Sequence, residues 1–191
     1  MRYFLILISL FLLTPPSWAQ AETNQTPNQS ANQGLGEQLF ADITALSSLN
    51  FGPADGKNLY VFMDPYCPYC LEFDKAMMAE IAAGRQLRLH VIPAPILGTE
   101  SQKAVLHIYS ADDPSAAWQR FVADGKLPEA TAKEDLLIAS AQRIKSNFDV
   151  MKRWKFLSVP LLVWRGVDGR VMMMHGTPDN TDTVWRSIGL E

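Results

Sequence analysis

Two cysteines separated by two residues, set between a short apolar run and an amphipathic one, constrain this chain more than any other feature. Asn58-Leu59-Tyr60-Val61-Phe62-Met63 has strand character. Asp64-Pro65-Tyr66-Cys67-Pro68-Tyr69-Cys70 follows, and then Leu71, Phe73, Met77, Met78 and Ile81 recur with helical spacing up to Gly84, a natural helix stop. The pair therefore sits on a strand-to-helix turn. Pro68 suits the first helical position, where its missing N–H would have been unpaired in any case. Cys67 then falls at the helix cap, where free N–H groups and the positive end of the helix dipole favour a thiolate. Cys70, one turn further in, is placed to resolve a mixed disulfide formed on Cys67.

Cys67 and Cys70 are the only cysteines of the chain. As a structural cross-link they would remove little entropy from the unfolded chain, because the loop they close is so short. As a metal site they lack partners: there is no second Cys-x-x-Cys, and His90, His107 and His175 are scattered singly. Redox chemistry is the reading left with local support, and no metal or other cofactor is expected.

The N-terminus indicates the compartment. Arg2 precedes an apolar run from Phe4 to Leu13 that is too short to span a bilayer, Pro15-Pro16 ends it, and Ser17-Trp18-Ala19 or Ala19-Gln20-Ala21 offers the small residues a signal peptidase needs. Residues 1–21 read as a cleaved secretory signal. Residues 22–35 are polar, rich in Asn and Gln, and read as a flexible linker. Residues 36–191 suffice for one α/β domain with its own core. The formal net charge of −3 provides no footprint for nucleic acid or an anionic membrane.

The remaining elements follow in order. A short helix is expected near Glu37 to Leu49. Residues 86–92 alternate as a second strand ending at Pro93, which completes a βαβ unit. Residues 99–154 turn helical, with capping-box spacing at Thr99/Gln102 and Thr131/Glu134, an Asp113-Pro114 start, and a break near Ser146-Asn147. Residues 161–165 and 170–174 form a hairpin around Gly166-Val167-Asp168-Gly169, and Thr177-Pro178-Asp179 caps a last helix. Met172, Met173 and Met174 could suggest copper, but alternating along a strand they read as core filling.

Taken together, these residues resemble the periplasmic disulfide-bond proteins of the DsbC/DsbG type within the thioredoxin superfamily. The likeness runs from about Asn58 to Leu190, and the Cys-Pro-Tyr-Cys tetrad with its preceding Asp-Pro is most similar to DsbG. It implies a thioredoxin-like fold with a helical insertion over about residues 99–154, and a periplasmic thiol-disulfide oxidoreductase of isomerase or reductase type. It also implies that Pro160 is the cis-proline beside the catalytic pair, that Val159 offers its backbone to an extended substrate, and that Tyr66 and Tyr69 form apolar walls. Asp64 is a candidate proton relay, since Val61 occupies the position where thioredoxin carries a buried acid, though Asp64 is equally a turn former. Valine before the proline is the residue found in DsbA, so an oxidase is the alternative, beside a non-catalytic chaperone or copper-binding module. Expected partners are cysteine-containing exported proteins and a membrane redox protein of the DsbD or DsbB type. With no room for that family's dimerisation domain between linker and first strand, a monomer is expected.

Overall fold

The computed structural model describes residues 27–129 and 133–190. In chain order the elements are α1 (Pro27–Thr44), β1 (Leu49–Phe51), β2 (Lys57–Met63), α2 (Pro68–Ala82), β3 (Leu87–Pro93), α3 (Thr99–Tyr109), α4 (Pro114–Asp124), α5 (Glu134–Arg153), β4 (Leu161–Arg165), β5 (Val171–His175) and α6 (Asp182–Ile188). The five strands form one sheet in the order β1-β3-β2-β4-β5. β2 and β3 are parallel, joined by α2 as the βαβ unit requires, and the other three pairings are antiparallel.

Alternation along the central strands divides the core in two. Leu59, Val61 and Met63 of β2 point to the face covered by α2, α3, α4 and α6, where Met77, Ile108, Trp118 and Trp185 pack. Phe62 points to the opposite face, joining Ile92, Leu161 and Val163 against Leu39 and Ile43 of α1 and Val150 and Met151 of α5. Because both faces are covered, β2 and β3 read as apolar runs at their C-terminal ends rather than as strict alternations.

Several sequence expectations are corrected. Of the polar stretch 22–35, read as a linker, residues 27–35 belong to α1; the signal of residues 1–21 and residues 22–26 lie outside the described residues. Pro27 suits a helix start, and the apolar residues that anchor this helix to the sheet come later, at Leu39 and Ile43. The helix ends at Thr44, not near Leu49, and Leu49 instead opens β1, an edge strand too short to leave a period in the sequence. Gly52 allows that strand to turn: its φ is +81°, and a Cβ there would collide with the Leu87 carbonyl.

The helical insertion comprises three helices, and α5 runs unbroken through Ser146-Asn147. Asn147 does not compete with its own backbone because its amide is buried and donates to Pro93 O at 2.7 Å and to Tyr109 Oη at 3.1 Å. Asp113 caps α4 through Ala116 N–H at 3.0 Å. Thr99 is the first residue of α3 after a Gly98 cap, α5 starts after Lys133, and Thr131 lies outside the described residues. α6 begins after Thr181, one turn later than expected. Met172 and Met173 are exposed rather than core-filling, and only Met174 packs against the larger cluster.

Candidate active site at the strand-to-helix turn

The site is built from the end of β2 outward. The Asp64 carbonyl accepts from Cys67 N–H at 3.1 Å, and its side-chain Oδ1 accepts from Tyr66 N–H at 2.8 Å, an Asx turn that reverses the chain at once. Cys67 then caps α2 with extended backbone angles, Pro68 takes the first helical position, and Leu71 N–H closes the first helical bond onto the Cys67 carbonyl at 3.0 Å. The side chain of Cys67 makes no capping bond, so its sulfur is not tied up at the helix start.

The two thiols are free of one another covalently and unequal in setting. Cys67 is 6% exposed and its Sγ lies 3.9 Å from the Val159 carbonyl. Cys70 is 0% exposed; burial pushes its thiol up, and a hydrogen bond with Cys67 adds to this, against a lowering contribution from the Asp64 backbone. The outer sulfur can therefore meet an incoming group while the inner one holds its proton.

Val159, 92 residues from Cys67, and Pro160 after it are brought to its sulfur because β4 pairs with β2 and so carries its N-terminal loop to the end of β2 where the helix starts. The Val159–Pro160 peptide is cis. Tyr66 is half-exposed, with its ring edge-on to Phe121 at 5.3 Å, and Tyr69 is open to solvent. Leu97 and Leu157, on the loops leading from β3 and into β4, are exposed as well.

Asp64 is fully buried, and each of its oxygens is occupied. Besides Tyr66 N–H, Oδ1 accepts from Ser101 Oγ at 2.8 Å, and Oδ2 accepts from Leu97 N–H at 2.9 Å. One carboxylate thus ties the cysteine turn to the loop after β3 and to the first turn of α3. Ser101 and Leu97 escaped the sequence reading because nothing local marks a contact made 37 and 33 residues away. Asp74 escaped it too, although it stands one helical turn beyond Cys70. It is buried in α2 and accepts from Trp118 Nε1 at 2.9 Å and Gln119 Nε2 at 3.3 Å. Burial raises its carboxyl above the usual range, and the two bonds oppose that.

The histidines are dispersed. His90 stacks on Tyr60 at 4.3 Å and contacts Asn58 Oδ1 at 2.8 Å, and burial, helped by Arg88, pushes it down to about 4. His107 faces the Pro128 carbonyl and His175 faces Ser158. Among the described residues no group of three or more His, Cys, Asp or Glu side chains is placed to hold a metal ion.

Residues 50–182 match the family described as a thioredoxin-like domain. The chain is 23% identical over 130 residues to the thiol:disulfide interchange protein DsbG of Escherichia coli, covering 65% of this chain and 52% of that protein. It is 24% identical over 145 residues to DsbG of Pseudomonas aeruginosa, covering 75% and 56%. The chain thus spans about half the length of the curated relatives it matches. Among solved structures, the catalytic domain of Proteus mirabilis ScsC superposes with a TM-score of 0.62 at 19% identity, covering 82% of this chain and 96% of that one. A disulfide interchange protein from Neisseria gonorrhoeae gives 0.57 at 18% identity, covering 75% and 96%. At these identities the superpositions speak for a shared fold alone. The chain belongs to the thioredoxin-like domain family.

Proposed function

We propose that this protein is an exported thiol-disulfide oxidoreductase that acts on the disulfides of other exported proteins through Cys67 and Cys70. The observation that carries the reading is the inequality of the two sulfurs: Cys67 at the helix cap against the Val159 carbonyl, Cys70 sealed behind it with its thiol pushed up. The Cys67 thiolate attacks one sulfur of a substrate disulfide, forming a mixed disulfide and expelling the other substrate sulfur as a thiolate that takes up a proton. Cys70 then loses its proton and attacks Cys67 Sγ, releasing the second substrate thiol. The substrate gains two electrons and two protons, and the pair is left as the Cys67–Cys70 disulfide. If Cys67 is released before Cys70 attacks, because a substrate thiol displaces it, the substrate has been rearranged and the pair is unchanged.

Val159 and Pro160 would line an extended substrate chain, with Tyr66 and Tyr69 as walls beside the cysteines; the half-open Tyr66 and open Tyr69 suit that role. For Asp64 the geometry favours positioning over proton relay, since both its oxygens already accept hydrogen bonds. The likeness to DsbG supports isomerase or reductase work, with reduction supplied by a membrane partner of the DsbD type. Valine at 159 favours the second reading, an oxidase recharged by a partner of the DsbB type. Residues 1–21 would direct the chain to the periplasm.

Reduction of insulin disulfides by wild type and by Cys67→Ser tests the chemistry: turnover should vanish in the variant, and equal rates in both would remove the assignment. The reduction potential against glutathione then sets direction, since about 30 mV corresponds to about 1.4 kcal/mol.

A further inference from the structure

The two edges of the sheet are treated differently. Along β1, Asn50 N–H reaches Ser115 Oγ of α4 at 3.4 Å, so that edge is covered. The outer edge of β5 has no such cover among the described residues. Its register shows which groups it presents. Gly166 N–H bonds the Arg170 carbonyl and Gly176 N–H bonds the Pro160 carbonyl, each at 2.8 Å. In an antiparallel ladder the bonded pairs alternate, so Met172 and Met174 turn their backbone groups to β4. Val171, Met173 and His175 turn theirs outward. The strand Val171-Met172-Met173-Met174-His175 contains no lysine, acid or proline, the residues with which natural edges discourage pairing.

Helix α1 adds a second, independent observation. Read backward from Ile43, it crosses the sheet: Phe40 meets the Tyr60 ring of β2 at 5.6 Å, Glu37 pairs with Arg165 of β4 at 2.6 Å, and a Cβ on Gly36 would stand 3.5 Å from Val171 Cβ of β5. The residues before Gly36 therefore overhang the edge, by roughly 13 Å at 1.5 Å per residue, which is the width of two or three strands. Leu35 lies on the same helical stripe as Leu39, one turn earlier. Leu39 is 8% exposed and Leu35 is 55% exposed, because the sheet ends beneath it.

We propose that a second copy of this chain fills that space, its β5 pairing antiparallel with the first across a two-fold axis at Met173. Val171 of each copy then faces His175 of the other, and Met173 faces its own equivalent, so the outward groups of both strands are matched in about six hydrogen bonds. No charged residue between Val171 and Met174 meets its like. The two α1 helices cross the seam about 14 Å apart, four residues along the strands, which leaves room for helices about 10 Å across to lie side by side. Each brings Leu35 over the partner's β5. Exposed Leu35 of each overhang adds apolar contact to the strand pairing. The occupant is thus self-complementary, in place of the monomer expected from the sequence. The two Val159–Pro160 loops end at opposite ends of the joined sheet, so each dithiol works alone.

Sedimentation velocity of the full chain, purified after export, tests this. A dimer is expected at about 100 µM. Met173→Lys sets two like charges at the two-fold axis, and Leu35→Glu puts a charge under the overhang. Each should weaken association at least about tenfold, with insulin reduction unchanged. In a Cys67→Ser/Cys70→Ser background, Met173→Cys should cross-link to a covalent dimer, since directly opposed residues lie about 5.5 Å apart at Cα, within disulfide reach. Wild type that sediments as a monomer at about 100 µM, which would leave the edge to a strand from another protein, overturns the proposal. So does a Met173→Lys variant that dimerises as strongly as wild type, or a Met173→Cys variant that stays monomeric under oxidation.

Discussion

Removing the Asp64 carboxylate probes whether one buried acid holds the active turn together. In Asp64→Ala, the N–H groups of Tyr66 and Leu97 and the Ser101 hydroxyl lose their acceptor at once. Each hydrogen bond to a charged acceptor contributes about 1.5–3 kcal/mol. That sum is offset by the cost of keeping a carboxylate away from water, and the Ser101 hydroxyl can rotate toward another acceptor. The expected net loss is about 3–5 kcal/mol, the range for deleting one member of a buried polar cluster. Asp64→Asn keeps one oxygen acceptor but turns an NH₂ toward a backbone N–H whichever way the amide lies, so one donor is stranded and the loss should be about 1–3 kcal/mol. Urea unfolding followed by tryptophan fluorescence measures both, with the slope unchanged if only stability has moved. An alanine variant within about 1 kcal/mol of wild type, or an asparagine variant less stable than the alanine one, would refute the reasoning.

Further outcomes follow from the other buried groups. In Cys67→Ser, the remaining Cys70 should resist iodoacetamide until the pH is well above the range in which free cysteine reacts, because burial raises its thiol; alkylation with an ordinary cysteine titration would contradict this. Asp74 has a carboxyl raised chiefly by burial, so the folded state holds that proton more tightly than the unfolded chain does. Its contribution is full below the unfolded value of about 3.9 and declines as pH rises through the folded value. Asp74→Asn should therefore gain on wild type in urea midpoint between about pH 4 and pH 7, and parallel curves would exclude it. Phe62→Ala, which empties a fully buried site of the central strand, should cost about 3–5 kcal/mol in the same unfolding assay.

What the sequence disclosed was local. Cys67, Pro68 and the apolar run to Met63 declare a strand, a turn and a capped helix within a dozen residues, and the structure places all three there. Asp113-Pro114 likewise announces α4 by a bond made three residues away. What stayed hidden depends on partners remote in sequence. β1 has only three residues and owes its strand state to pairing with β3. Residues 27–34 lack large apolar groups to mark a helix, and their helicity continues that of a segment anchored further on by Leu39 and Ile43. Asn147 looked like a helix breaker because its preferred partners in isolation are its own backbone groups. The fold offers it Pro93 and Tyr109 instead.

The same three long-range polar contacts explain what the helical insertion does for the turn. Ser101 of α3 reaches Asp64 at the entrance to the cysteines, Trp118 of α4 reaches Asp74 one helical turn beyond them, and Asn147 of α5 reaches the carbonyl of Pro93, whose strand partner is Met63. Each contact is buried, so each would leave an unpaired polar group if its helix moved, at a cost of about 1–3 kcal/mol. The insertion is therefore fastened on both sides of the strand-to-helix junction and at the strand alongside it. A change in α3, α4 or α5 that leaves Cys67 and Cys70 untouched should still alter their setting, and the bond from Ser101 is where that influence is shortest.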